Sequence, residues 1–472
     1  MTGSSTFTHI IGTETEHRLY DSTGRLNSNN VIQELRVRPW PYGLWAQNSH
    51  RGTNGSRSYQ DASNIIESAG PECTNGTQAM YYELAGSLFW SGYARICDRA
   101  LGRAAQAWVI KANTSAHGAS SGGHHTNISM PMGAHSYAEN LRATVIQLKA
   151  FVATLQLISG AGLVLPREQK ATRLGTPAYG YAISARAFHV TRDSGSAHSK
   201  DDMGNKPLFL DRNEALADKD LFWRLQICGL DSNILPTPIQ LSLDILLILA
   251  EMAALEAIEP IQLVEDENLG HTAQRVSLDW RTPLDTDSHG TLTPLEIQWH
   301  YFHEAEVYVL KHRDGRGSDI LEQWAEILTA FDTDEDVPSA LNGKVDWVTK
   351  LLLLQGKEAK PGRLLTCDQA ENLHFNYHAY RINASGVCLP VMLARHYGAP
   401  DLIRQVLSAM RNPPSDTRAW ARGIFVASRP KDPTIDWQFV EGLRTPRFKL
   451  PDPSAPSTKQ FDEFCRFLSR AS

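Results

Sequence analysis

The chain has 472 residues, of which 42% are hydrophobic and 21% charged, and its formal net charge is −6. Such a profile is that of an ordinary globular protein rather than a disordered one, its length suits roughly two to three domains, and its negative balance argues against a nucleic-acid partner. Its six cysteines, Cys73, Cys97, Cys228, Cys367, Cys388 and Cys465, include no C-x-x-C pair, so spacing points to neither a zinc site nor a disulfide scaffold but to reduced thiols in a cytoplasm.

In chain order, "MTGSST" reads as disordered, and no apolar run behind basic residues marks a secretory signal. "THIIGTETEHRLY" then reads as a first strand, and "GSRSYQD" as a second. "YAENLRATVIQLKAFVATLQLI" repeats its apolar residues every three to four positions and predicts an amphipathic helix. Further helices are predicted over 240–257, over "TPLEIQWHYFHEAEVYVLKH", where Thr293 and Glu296 have capping-box spacing, and over "DILEQWAEILTAF". The most apolar stretch, "LSLDILLILAEMAALEAI", is interrupted by Asp244 and Glu251 and reads as a buried helix, not a membrane span. Strands and long helices mix without regular alternation, which predicts α+β. The Gly/Ser-rich loops at 112–127 and 192–207 are long enough to be functional or disordered. "RNPPSDT" at 411–417 is the best domain boundary, dividing a large unit, 1–410, from a small C-terminal one, 411–472. No internal repeat is visible.

Several motifs fail on inspection. "HRD" at 312–314 lacks the following asparagine and the D-F-G of a kinase, "HEAEV" at 303–307 has Val307 where H-E-x-x-H needs a histidine, and no P-loop or dinucleotide fingerprint exists. What remains is an ordered set of polar residues. Glu14 and Glu16 of "GTETE" share one face of a strand, roughly 7 Å apart along the backbone, because side chains alternate with period two. Their repulsion has two explanations: a solvated edge strand that discourages pairing, or a cation held between them. Tyr59 and Asp61 share a second strand face and Glu67 follows shortly after, giving hard oxygen donors suited to Mg²⁺. His124 and His125 sit in the glycine-rich "SGGHHTN", and Arg212 in "LDRNEALAD" offers a planar fork for phosphate.

Taken in order, "IIGTETE", "NGSRSYQD", "ESAGPEC", "ANTSAHGASSGGH", "SARA", "LDRNEALAD", "FWRLQICGLDSN", "TPLEIQ", "VDWVTK", "NYH", "NPPSDTRAWARGIFVAS" and "IDW" resemble the Pup ligase and deamidase-of-Pup family, proteasome accessory factors with a glutamine-synthetase-like fold. The resemblance implies a curved antiparallel sheet cradle packed with helices plus a small C-terminal domain. It implies ATP and Mg²⁺ as cofactors, phosphorylation of the side-chain carboxylate of a C-terminal glutamate, and transfer of the acyl group to an amine. By resemblance Glu14, Glu16, Tyr59, Glu67 and His124 form the metal-binding set, Asp61 is the catalytic aspartate, Arg212 contacts nucleotide phosphate, and Arg422 of "RAWARG" is a further nucleotide contact. Two positions depart from the family: Gln226 stands where the family has a metal-binding histidine, and the family's His-Glu-Asn-Tyr run is "HHTN", which puts His125 in place of a carboxylate.

The expected activity is therefore that of an ATP-dependent carboxylate-amine ligase. The expected partners are Pup or a Pup-like tail and a lysine-bearing or small-molecule amine, in the cytoplasm, without nucleic acid or membrane. A deamidase-like amide hydrolase is the alternative. The spacing disfavours it, since only 37 residues lie between Glu16 and Asn54, fewer than the deamidase's inserted loop implies. A third reading, a binding protein for nucleotide or a Pup-like tail without turnover, follows from Gln226 and His125.

Overall fold

A computed structural model describes residues 9–454 and 463–468, apart from 22–23, 26–27, 39, 62–64, 101–106, 112, 114–121, 167–172, 197–205, 265–268, 288, 314, 334, 359–363, 381–387, 444–446 and 465. The segment "MTGSST" and most of the two Gly/Ser-rich loops lie outside the described residues.

The strands that position the site are β1 (Ile10–Asp21), β2 (Gly24–Arg25), β3 (Gly43–Ala46), β4 (Ser49–Gly52), β5 (Arg57–Gln60), β6 (Ile66–Ala69), β7 (Trp108–Lys111) and β8 (His124–Pro131), followed by β9 (Leu163–Leu165), β10 (Gly180–Ala182), β11 (Val190–Gly195), β12 (Lys206–Leu210) and β13 (Phe222–Leu230). Apart from the separate hairpin β9–β10 they form, with the short strand Ala379–Tyr380 paired to β7, one twelve-stranded sheet, whose main path runs β11-β12-β13-β8-β1-β6-β5-β4-β3. Every pairing along it is antiparallel except β11 with β12. β1 is the central strand: β8 and β6 flank its first half, and β7 pairs with it over His17–Tyr20. The α+β cradle expected from the sequence is the fold observed.

Alternation along β1 separates the two faces. Ile11, Thr13, Thr15, His17 and Leu19 turn to a helical layer, where His17 Nε2 lies 3.1 Å from Ser87 Oγ of the helix Gly76–Ala100. Burial, with the nearby Lys111 ammonium, keeps the His17 imidazole uncharged, down at about 3. The helices Tyr137–Thr154 and Pro236–Ala254 complete this layer and its large apolar core. Helix Pro236–Ala254 is long and apolar enough to cross a membrane, but 78% of it is buried within the fold. Its two acids have structural tasks: Asp244 accepts from the Gly76 N–H at 2.6 Å, and Glu251 accepts from Arg313 and Tyr308.

The predicted capping box is present, with Thr293 and Glu296 satisfying each other's backbone N–H groups at the start of helix Pro294–His312. A separate apolar cluster, including Phe425, Val440, Phe448, Phe464 and Phe467, is built from residues beyond 420.

Candidate active site

On the face of β1 opposite the helices, the register brings acids from two strands together with polar residues from two more. Glu16 lies directly across from Glu67 of β6, which in turn lies across from Tyr59 of β5, while Glu14 lies across from His125 of β8. Directly paired residues share a face, so the four side chains converge with Glu16. Ligand atoms of Glu14, Glu67 and His125 all lie within 4.8 Å of one another. His125 Nδ1 donates to Glu14 Oε2 at 3.3 Å and sits 4.0 Å from Glu67 Oε1, and Gln226 Nε2 of β13 donates to the same Glu14 oxygen at 3.3 Å.

The electrostatics follow from this crowding. Burial and the negative charges of Glu14 and Glu16 push the Glu67 carboxyl well above its ordinary range, although the Tyr59 hydroxyl bonds to it. Burial would raise Glu14 too, but the hydrogen bond and charge of His125, with Arg224 and Arg212, overcome it and hold that carboxyl below its ordinary value. Tyr59 is held protonated, first by burial and then by Glu67 and Glu14.

His124 is not part of this ring. As the neighbour of His125 on a strand it points to the opposite face, where Nδ1 lies 3.2 Å from Glu83 Oε2 and Nε2 lies 3.1 Å from Thr126 Oγ1. Lys111 Nζ completes that buried group, 2.5 Å from Glu83 Oε1. Burial works against the Glu83 charge, yet His124 and Lys111 hold the carboxyl down at about 2. The register of β8 on β1, with His125 across from Glu14 and His124 across from Thr15, sets which histidine faces which way. Buried Arg186 of "SARA" donates to the carbonyls of Cys228 and Gly122, and a Cβ on Gly123 would come within 3.0 Å of its guanidinium. Of the two histidines it is thus His125, not the expected His124, that stands beside Glu14 and Glu67.

The remaining expected residues are placed as follows. Asp61 is exposed in the turn after β5, its N–H bonded to the Ile65 carbonyl at 2.8 Å, and close enough for its charge to act on Glu67. Arg212 lies just beyond β12, where its N–H donates to the Tyr137 hydroxyl at 2.8 Å and its charge acts on Glu14. Arg422 is away from the ring. It is 2% exposed and clasps Glu72, with Nη2 to Oε2 at 2.5 Å, and it lies 4.6 Å from the Trp437 ring centroid. Arg418 shares the same carboxylate at 2.7 Å. The two guanidinium groups outweigh burial and hold Glu72 at about 2.

Near the ring, Arg224 and Arg57 are residues that the sequence reading did not single out. Arg224 of β13 is buried, two positions from Gln226 and so on the same face, with Nη1 3.4 Å from Asn127 Oδ1. Arg57, across from Ala69, places its guanidinium 4.8 Å from the Tyr59 ring centroid. Both were legible as period-two neighbours of residues already singled out.

Beside the ring opens a cavity of about 530 Å³, counted to its open mouth, with Glu14, Thr13 and Arg224 at one side and Glu72, Arg418 and Trp437 at another. A sheet cradle carrying clustered acids and arginines beside such a cavity is the arrangement that the sequence resemblance implies for an ATP-dependent ligase.

Comparison with known proteins narrows the class. The model of the Pup-ligase protein family matches residues 9–441, and the chain belongs to that family. It is 29% identical to the Pup--protein ligase of Corynebacterium jeikeium over 97% of this chain and 98% of that protein, and 28% identical to the one from Nakamurella multipartita over 91% and 92%. Among solved structures, the complex between prokaryotic ubiquitin-like protein Pup and its ligase PafA matches with a TM-score of 0.80 at 23% identity, covering 98% of this chain and 92% of that one. PafA in complex with ADP matches at 0.74, also at 23% identity, covering 94% of each.

Proposed function

We propose that the chain joins a Pup-like tail to an amine through an acyl phosphate. The observation that carries this reading is the Glu14, Glu67 and His125 ring set against the cavity that Glu14 and Arg224 share with Trp437. Relatives bearing the name Pup--protein ligase, and a PafA structure with ADP, support the choice of substrate and nucleotide.

Magnesium fits the donors present. Oε2 of Glu16 and Oε1 of Gln226 are buried without a hydrogen-bond partner among the described residues, as unfilled cation ligands would be. Glu14, Glu16, Glu67 and Gln226 would hold it through oxygen and His125 through nitrogen, with Tyr59 supporting Glu67. When bound, it supplies neutralising charge for the polyphosphate.

The side chains of this protein do the rest. Arg224 and Arg212 attract the phosphates, and Trp437 offers a flat wall for the base. A carboxylate oxygen of the tail bonds to the terminal phosphorus and ADP leaves. The amine nitrogen then bonds to the acyl carbon, phosphate leaves, and the amine proton passes to Asp61.

One observation favours a second reading, binding without turnover: His125 already bonds Glu14 from within the ring. The test is incubation with ATP, Mg²⁺, a synthetic Pup-like peptide ending in glutamate, and lysine. Amide product in step with ADP is expected. Bound nucleotide without ADP release supports the binder, and deamidation of a peptide ending in glutamine supports the hydrolase.

A further inference from the structure

Two arginines face each other on the far flank of the ring. Arg51 of β4 lies directly across from Arg57 of β5, and directly paired residues share a face. Arg57 is two positions from Tyr59, so the pair stands on the same open face as Tyr59, Glu67 and Glu16. The other face of these strands belongs to the helices, where the ring of His50, the neighbour of Arg51, lies 4.9 Å from that of Phe89.

Like charges in direct register are destabilising, and a buried cation is costly unless it is paired. Arg51 is 4% exposed and Arg57 is half-buried, yet the Nε of each is buried without a hydrogen-bond partner, and neither guanidinium is in an ion pair among the described residues. Arg57 rests against the Tyr59 ring, at 4.8 Å from its centroid. Glu72 does not relieve them, because Arg418 and Arg422 already share it. Burial, with the charges of Arg57 and Arg422, pulls Arg51 down to about 9, and Asp436 offsets this only in part.

The ring thus stands between two pairs of arginines. Arg224 and Arg212 flank it on the side of β8 and β13, where the cavity opens beside Glu14 and Arg224. Arg51 and Arg57 flank it on the side of β6 and are not among the residues that line that cavity. With the phosphates drawn to the first pair, the second is left for the other substrate. A terminal glutamate brings two carboxylates: the side-chain one, which is phosphorylated, and the main-chain one, which keeps its charge throughout.

We propose that Arg51 and Arg57 form an anion subsite that holds the main-chain carboxylate of the tail's last residue and so selects a glutamate with a free C-terminus; the proposal rests on the ligase reading for the identity of the tail. Two planar forks around one carboxylate give it paired, charge-assisted hydrogen bonds and remove the repulsion between the forks. Arg57 is one pleat repeat, roughly 7 Å, from Tyr59, a step that a single glutamate bridges between its two carboxyl groups.

The test measures binding of two synthetic Pup-like peptides to the full chain with ADP and Mg²⁺. One ends in glutamate; in the other the terminal main-chain carboxylate is a carboxamide and the side-chain carboxylate is kept. The carboxamide peptide is expected to bind roughly 10–100-fold more weakly, the scale of a lost charged hydrogen-bond partner. In Arg57→Gln that ratio should fall toward one, because the peptide with the free carboxylate weakens, and Arg57→Lys should restore part of it. Affinity for ADP and for a non-hydrolysable ATP analogue should be the same in Arg57→Gln as in the wild type. Equal binding of the two peptides by the wild type, or a ratio unchanged in Arg57→Gln, would overturn the proposal. Loss of affinity for the ATP analogue but not for ADP would overturn it too, by assigning the pair to the terminal phosphate. The wild-type comparison keeps the test decisive if the variant does not fold. Discrimination between the peptides without amide formation removes only the ligase reading, amide formation from both peptides alike removes only the subsite, and binding of neither peptide removes both.

Discussion

Replacing Arg422 by alanine should destabilise the protein while leaving the chemistry of the ring in place. The side chain is 2% exposed on helix Ala419–Ala427. It makes bonds of 2.5 and 3.0 Å to the two oxygens of Glu72, bonds of 3.0 and 3.3 Å to the Gly55 carbonyl, and one of 3.3 Å to the Trp437 carbonyl. Removing one partner of a buried ion pair costs about 3–5 kcal/mol. Glu72 keeps Arg418 at 2.7 Å, so its charge is not abandoned, and the lower end, about 3 kcal/mol, is expected. Urea unfolding should show a lower midpoint at unchanged slope, and ADP titration well below that midpoint should still show binding. A loss under about 1 kcal/mol together with abolished ADP binding would refute the clasp and return Arg422 to the role of nucleotide contact.

The clasp also has a pH signature. Glu72 sits at about 2 against an ordinary 4.5, so its share of stability, about 3 kcal/mol, is complete above pH 4.5 and is lost as pH falls toward 2; Glu72→Gln should flatten that part of the acid-unfolding curve, and an unchanged curve would contradict the assignment. Asp61→Asn should keep ADP binding yet lower amide formation by roughly 10²–10⁴-fold, and wild-type turnover in the variant would end its role as the base. Gln226→His should tighten divalent binding roughly 10-fold, measured by metal titration of the free protein, whereas an unmoved midpoint would place Gln226 outside the ligands.

The sequence made the acidic face legible because period two requires no tertiary information: Glu14 with Glu16 follows from strand parity alone, whereas Asp61, expected on the strand face of Tyr59, lies just past the end of β5. The helix Thr293–Glu296 start was legible for the same local reason. Which of His124 and His125 faces the acids was not, because parity within β8 is set by its register on β1, a pairing of residues 111 positions apart. The Arg422 clasp was invisible likewise, since Glu72 lies 350 residues away and carries no local mark. Arg224 carries the same local signal, two positions from Gln226 on β13. The boundary at 411–417 remains a proposal, supported by the apolar cluster beyond 420. The proposed linker is itself tied down, with Thr417 Oγ1 donating to the Glu72 carbonyl at 2.9 Å and Tyr82 to that of Asn412 at 2.8 Å.

The central claim, that a carboxylate is activated by phosphoryl transfer, is tested most directly by an isotope. A Pup-like peptide whose terminal glutamate carries ¹⁸O in its side-chain carboxylate should be incubated with ATP, Mg²⁺ or Mn²⁺, and lysine, and the released phosphate analysed by mass spectrometry. The acyl-phosphate route transfers one labelled oxygen to each phosphate as the amide forms. Phosphate released without label, or nucleotide bound with no phosphate released at all, would contradict it.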